Sequence, residues 1–380
     1  MNRRLFALAP LVGLGLAGVA SAQGGGPRLN EIQVVGTHNS YHLAPGPEVM
    51  ALIASGGKAR AEGLDYTHRP LAEQFSRLKI RQVELDVFAD PAGGLFAEPA
   101  ARAILKAAGK DPGPDPDEGG KLRKPGFKVL HVQDVDYRTT VATLAEALAQ
   151  VRDWSAAHPR HVPILVLVEV KDGAIPSLPT RPRPIGRAEL DALDAEIRAA
   201  FDAPTILTPD DVRGDSPTLP GAIRSRGWPT LDACRGRVLF ALDNEGRVRD
   251  LYLEGHPALR GRAMFATVAP TDPAAAWMKV NDPVADFETI RRLVHDGFLV
   301  RTRADADTAE ARRDDPSRRE KALASGAQYI STDYPEPRPE FSGYRVALPG
   351  GVAARADPVN GDPSRAGPDP EGPTAPAGRP

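Results

Sequence analysis

The sequence predicts an α/β protein wound as one TIM-type (β/α)8 barrel, irregular in places and forming a single domain. Three observations predict it. Between Asn30 and Pro349, eight short runs rich in β-branched residues recur, several of them apolar over four or more consecutive positions. Strands covered on both faces of a parallel sheet have that composition. Segments of helical period separate the runs. No Gly-x-Gly-x-x-Gly follows the first run, as it would in an open, dinucleotide-binding sheet.

The chain starts with Met1-Asn2-Arg3-Arg4, continues through an apolar stretch from Leu5 to Val19, and reaches Ala20-Ser21-Ala22 before Gln23. This reads as a signal peptide over residues 1–22, giving a secreted or periplasmic protein by the general or the twin-arginine route. The stretch is short of the roughly 20 apolar residues a membrane-spanning helix needs, and no later stretch approaches them. The barrel is expected over residues 23–350. Its runs are 32–38, 82–88, 128–133, 164–171, 237–242, 263–268, 298–303 and 328–332. Helices between them follow from period. Val141, Leu144, Leu148 and Val151 share one face, as do Leu190, Leu193, Ile197 and Phe201, and again Val284, Phe287, Ile290 and Leu293, with Gly297 as a stop. Residues 90–126 are rich in Gly, Pro and Asp and read as a long insertion after the second strand. A shorter Pro-rich loop covers 175–185. Residues 351–380 offer almost nothing to bury and read as a disordered tail.

The one cysteine, Cys234, cannot form an internal disulfide, so burial alone must hold the fold. A formal net charge of -2 with no long basic run gives no footprint for nucleic acid. The partner is small or local to one site. Oligomeric state is not encoded legibly.

Polar residues gather at the C-terminal ends of the runs, where a barrel builds its site. The first ends in Gly36-Thr37-His38-Asn39-Ser40-Tyr41, the second in Glu84-Leu85-Asp86, the third in His131, and the fourth in Glu169-Val170-Lys171. Alternation along a strand turns Glu84 and Asp86 to one side, and Glu169 and Lys171 likewise. Taken singly, each has an ordinary structural reading: a hydrogen-bonded histidine, a solvated acid pair, a salt bridge. Their coincidence argues for function, because charges in strands buried on both faces are costly unless paired, metal-bound or lining a site. Glu84, Asp86, Glu169 and Asn39 form an all-oxygen set suited to a hard cation, calcium ahead of magnesium. The histidines lack zinc-type spacing and are left for proton transfer. His42 reads as support for the site rather than a substrate contact, and His158 and His161 as structural groups at the other end. Asp243 and Asn244 lie near the mouth, and Asp305 and Asp333 are placed to orient a histidine. Trp154, Trp228 and Trp277 read as packed.

These motifs, with Lys128-Val129-Leu130-His131-Val132-Gln133-Asp134-Val135-Asp136, Arg301-Thr302-Arg303-Ala304-Asp305 and Ile330-Ser331-Thr332-Asp333-Tyr334-Pro335, resemble the bacterial calcium-dependent phosphatidylinositol-specific phospholipases C of the PLC-like phosphodiesterase superfamily. The resemblance spans nearly the whole expected barrel. It implies that Asn39, Glu84, Asp86 and Glu169 hold Ca2+ and that His38 and His131 flank the scissile phosphate. It implies cleavage of a phospholipid headgroup at a membrane surface, to diacylglycerol and a cyclic inositol phosphate. His131 would protonate the departing glycerol oxygen, with the base being the other histidine or a metal-bound carboxylate. Lys171, and more weakly Arg301, would meet substrate phosphate or ring hydroxyls. A glycerophosphodiester phosphodiesterase shares the barrel and metal, but would carry His-Arg-Gly where this chain has His38-Asn39-Ser40. A barrel that only binds inositol lipids is a third reading, opposed by the presence of both histidines and all four oxygen ligands. The headgroup itself is not legible.

Overall fold

The structure is a computed structural model that describes residues 26–372. The expected signal peptide lies outside the described residues. The strands are β1 (Ile32–Thr37), β2 (Gln82–Asp90), β3 (Gly126–Val129), β4 (Ile164–Val170), β5 (Val238–Leu242), β6 (Met264–Ala266), β7 (Trp277–Lys279), β8 (Leu299–Arg303), β9 (Tyr329–Thr332) and β10 (Ala354–Ala356). Eight of them run in the order β6-β5-β4-β2-β1-β9-β8-β7, and each hydrogen-bonded neighbour on that path is parallel. The barrel is closed except between the three-residue strands β6 and β7. The core is apolar for the reason the runs suggested: Ile164, Leu165, Val166, Leu167 and Val168 are all fully buried. Each such side chain contributes about 1.5–3 kcal/mol relative to exposure.

Helix Leu144–Ala157 follows from its period and from Thr143, whose hydroxyl accepts the Glu146 N–H at 3.2 Å and caps the first turn. Helix Arg187–Ala200 buries Leu190, Leu193 and Ile197. Helix Phe287–His295 buries Ile290 and Leu293, but Val284 precedes it and is exposed. All three tryptophans are packed, and the Cys234 thiol is buried and pushed up to about 12 by burial.

Three readings of the sequence are corrected. Residues 128–133 do not form a barrel strand: β3 pairs antiparallel with β2, Val129 opposite Val87 and Phe127 opposite Ala89, as an arm rising from the mouth. The eighth barrel strand is β7, whose Trp-Met-Lys is too short to show a period. The chain after Gly351 is not bare of structure through residue 372. β10 pairs antiparallel with Ile32, Gln33 and Val34, beneath the point where β2 joins β1 at Gly36. Beyond it, Glu371 meets the buried Arg81 (Nε to Oε2 2.6 Å) and accepts the Val162 N–H, sealing the base of the barrel.

Candidate active site

The first motif is built by its small polar residues. The Thr37 hydroxyl donates to Gln74 Oε1 and lies 2.6 Å from the Ser40 hydroxyl, while Gln74 donates back to the Ser40 carbonyl. Ser40 Oγ accepts the Glu84 N–H at 2.8 Å, tying the end of β1 to β2. Gly36 is required here, because a Cβ would collide with the Gln82 side chain. Asn39 takes a left-handed conformation, φ 42, which asparagine tolerates, and this turns His38 and Asn39 over the barrel mouth.

In register, Asp86 lies beside Glu169 across β2 and β4, so Glu84, Asp86 and Glu169 point to the same interior, where Asp243 follows β5. Carboxylate oxygens of Glu84, Glu169 and Asp243 all lie within 4.8 Å of one another. Cations surround them. The Lys171 ammonium is 3.0 Å from Asp86 Oδ2 and 3.1 Å from Glu169 Oε2, and Lys279 sits 2.9 Å from Asp243. Arg301 donates to Glu84 Oε2 at 2.6 Å and also holds Asn281 and Ser331. Asn39 Oδ1, Asp86 Oδ1 and Asp243 Oδ1 are buried without a hydrogen bond, and Asp86 Oδ2 has only the Lys171 ammonium. Burial, with Asp243 and Asp86 close by, outweighs Arg301 and pushes the Glu84 carboxyl up to about 8; burial and Asp86 raise Glu169. An unsatisfied, mutually repelling all-oxygen cluster is what a hard divalent cation fits. Glu84, Glu169 and Asp243 are thus brought together, with Asp86 beside Glu169 in register and Asn39 at the end of β1; sequence reasoning had left Asp243 at the margin. Lys171 is about a quarter exposed and ion-paired with Asp86 and Glu169. Arg301 is buried and donates to Glu84, Asn281 and Ser331, while its Nε has no hydrogen-bond partner.

Each histidine has its own carboxylate. His38 Nδ1 lies 2.8 Å from Asp333 Oδ1, and Arg303 bridges the pair, 2.9 Å from Asp333 Oδ2 and 3.4 Å from His38 Nε2. Burial, then the Arg303 charge, hold His38 well below its usual value against the pull of Asp333. Asp305 does not touch the histidine. It accepts the Asp333 N–H at 2.8 Å and the Thr332 hydroxyl, fixing Asp333 from behind. His131 reaches the mouth from the arm, two residues past β3. Its Nδ1 is 2.7 Å from Asp136 Oδ2 across a tight loop closed by the Val132–Asp136 bridge. Burial opposes the His131 cation, but the hydrogen bond and charge of Asp136, with Asp86 beyond, raise it above its usual value. Asp136 was in the quoted motif without a role; its five-residue spacing from His131 was the available signal. His42, His131 and Asp136 also form a metal-sized cluster, but hydrogen bonds among them already account for it. His161 is bonded to Ser155 at the far end, as read.

Residues 27–358 match the family described as phosphoinositide phospholipase C, Ca2+-dependent. No curated protein matches the chain. Similar solved structures include a calcium-dependent phosphoinositol-specific phospholipase C from Pseudomonas sp., 15% identical over 87% of this chain and 95% of that one, TM-score 0.49. Another is the Ca2+-dependent phosphatidylinositol-specific phospholipase C of Streptomyces antibioticus, 18% identical over 81% and 95%, TM-score 0.47. A third is the phosphatidylinositol-specific phospholipase C of Listeria monocytogenes, 12% identical over 84% and 93%, TM-score 0.42.

Proposed function

The chain belongs to the Ca2+-dependent phosphoinositide phospholipase C family, and from that premise we propose an exported enzyme that splits phosphatidylinositol-type lipids by two-histidine phosphoryl transfer. The products are diacylglycerol and an inositol phosphate, cyclic when first formed. One observation carries the reading: an unsatisfied oxygen cluster lies between two histidines whose surroundings push them in opposite directions. Such a divergence marks an acid and a base.

The inositol 2-hydroxyl attacks phosphorus in line and the glycerol oxygen leaves. His38, its Nδ1 held by Asp333 and its ring kept neutral by burial and Arg303, accepts the hydroxyl proton at Nε2. His131, oriented through Nδ1 by Asp136 and charged, delivers its Nε2 proton to the glycerol oxygen. Lys171, about a quarter exposed, is within reach of a phosphate entering over Asp86. Asn39, Glu84, Asp86 and Glu169 would hold Ca2+, which when bound supplies positive charge against the phosphoryl oxygens. Among the described residues no helix is long and apolar enough to cross a membrane.

The test is release of soluble phosphorus from phosphatidylinositol vesicles by the mature protein, with calcium and with a chelator, beside His131→Ala. Cyclic inositol phosphate should appear only with calcium and intact His131. Hydrolysis of glycerophosphodiesters with inositol lipid untouched would transfer the substrate assignment to that class.

A further inference from the structure

His42 contributes nothing to the mouth: it is fully buried and its ring stacks on Tyr66 at 4.2 Å, 25° from parallel. Its backbone is pinned as well, by a bridge to Thr139 and by the His68 N–H donating to its carbonyl. The ordinary reading of such a residue is a satisfied core histidine. Its partners argue for more. Nδ1 lies 3.0 Å from the Tyr66 carbonyl, and Nε2 lies 2.9 Å from both oxygens of Asp136. Each ring nitrogen thus faces an oxygen, one a carbonyl that can only accept and the other the Asp136 carboxyl.

Asp136 is itself fully buried, and the oxygen that receives His131 Nδ1 is shared with His42. A buried carboxylate without a counter-charge takes up a proton. In that form it would no longer accept the His131 N–H dependably or favour charge on that ring. Here His42 and His131 hold the Asp136 carboxyl well below the usual range despite its burial. We propose that His42 is a positioning residue for the leaving-group step: from behind Asp136 it keeps that carboxylate ionised and fixed, and so aims and charges His131. The inference rests on His131 being the acid, and it reaches the reaction only through Asp136.

Leaving-group chemistry separates this role from a merely structural one. A glycerol alkoxide must be protonated as it departs, whereas a nitrophenolate need not be. Calcium-loaded mature enzyme is assayed on phosphatidylinositol and on a nitrophenyl inositol phosphate, for wild type, His42→Gln, His42→Ala and His131→Ala. Glutamine keeps an N–H donor but loses the charge, and melting curves confirm folding; if His42→Ala does not fold, His42→Gln carries the test. His42→Gln should lower kcat on the lipid about 10- to 100-fold with KM little changed, and lower it less than about threefold on the nitrophenyl substrate. The 15N resonance of His131 Nδ1 should shift in the same variant. Equal losses on both substrates, or none on either, while His131→Ala keeps its leaving-group dependence, would overturn the role of His42 alone. Loss of that dependence in His131→Ala itself would remove the acid assignment, and this proposal with it.

Discussion

The two aspartate–histidine pairs use the same contact and reach opposite results. At the β9 end, Asp333 holds His38 at 2.8 Å; on the arm, Asp136 holds His131 at 2.7 Å. The third group makes the difference. Arg303 lies against the histidine itself, 3.4 Å from its Nε2, and with burial opposes a second positive charge there. His42 lies behind the aspartate, its ring centroid 5.8 Å from that of His131, and bonds the carboxylate rather than the imidazole. A carboxylate alone therefore does not decide whether a buried histidine is an acid or a base. The balance of burial against the charges facing each ring does.

The comparison breaks most sharply by deleting each histidine. His38→Ala and His131→Ala should each lower kcat on phosphatidylinositol about 100- to 10,000-fold. Only His131→Ala should be largely restored by a nitrophenolate leaving group; steady-state assays on both substrates read this. The oxygen cluster gives the next effect. Burial pushes the Glu84 carboxyl up to about 8 before a metal ion binds, so Ca2+ binding below that pH should expel a proton. Affinity should tighten as pH rises towards 8 and level off above it, and calorimetry in buffers of different ionisation heat should detect the released proton. Asp86→Asn should weaken binding about 10-fold or more, by removing a charge from the set.

Arg303→Met sharpens the contrast at one histidine. His38 acts when neutral, so activity rises with pH through its depressed value, and the acid limb of kcat/KM lies below pH 6.5. A bound cation pushes His38 the same way. Removing Arg303 should move that limb up in pH and leave the alkaline limb, set by His131, in place. The smallest effect is a control remote from both pairs. Glu371→Gln at the barrel base should cost about 2 kcal/mol in stability, read by denaturant melts, with kcat unchanged. Arg81 holds Glu371 below its ordinary value, so this contribution is complete above the unfolded carboxylate pKa and fades as pH falls through the lower folded value.

Much of this was legible in the chain. Strands β1, β2, β4, β5, β8 and β9 announce themselves by β-branched runs, and Glu84, Asp86 and Glu169 by alternation within them. What stayed hidden depends on contacts distant in sequence. β7 and β10 have three residues each and no period, and Ala354–Ala356 lacks β-branched side chains; pairing with β1 alone makes it a strand. Residues 128–133 look like a barrel strand because composition does not encode the direction of pairing. Arg301 and Arg303 share one face of β8, and only packing reveals that the first is committed to Glu84 while the second meets His38.

The most direct test of the account is 15N NMR of histidine-labelled, calcium-loaded enzyme at pH 6.5, with resonances assigned by His38→Ala and His131→Ala. The expected result is a neutral His38, protonated at Nδ1 only, and a His131 protonated at both nitrogens in most molecules. A charged His38 beside a neutral His131 would contradict it and exchange their roles.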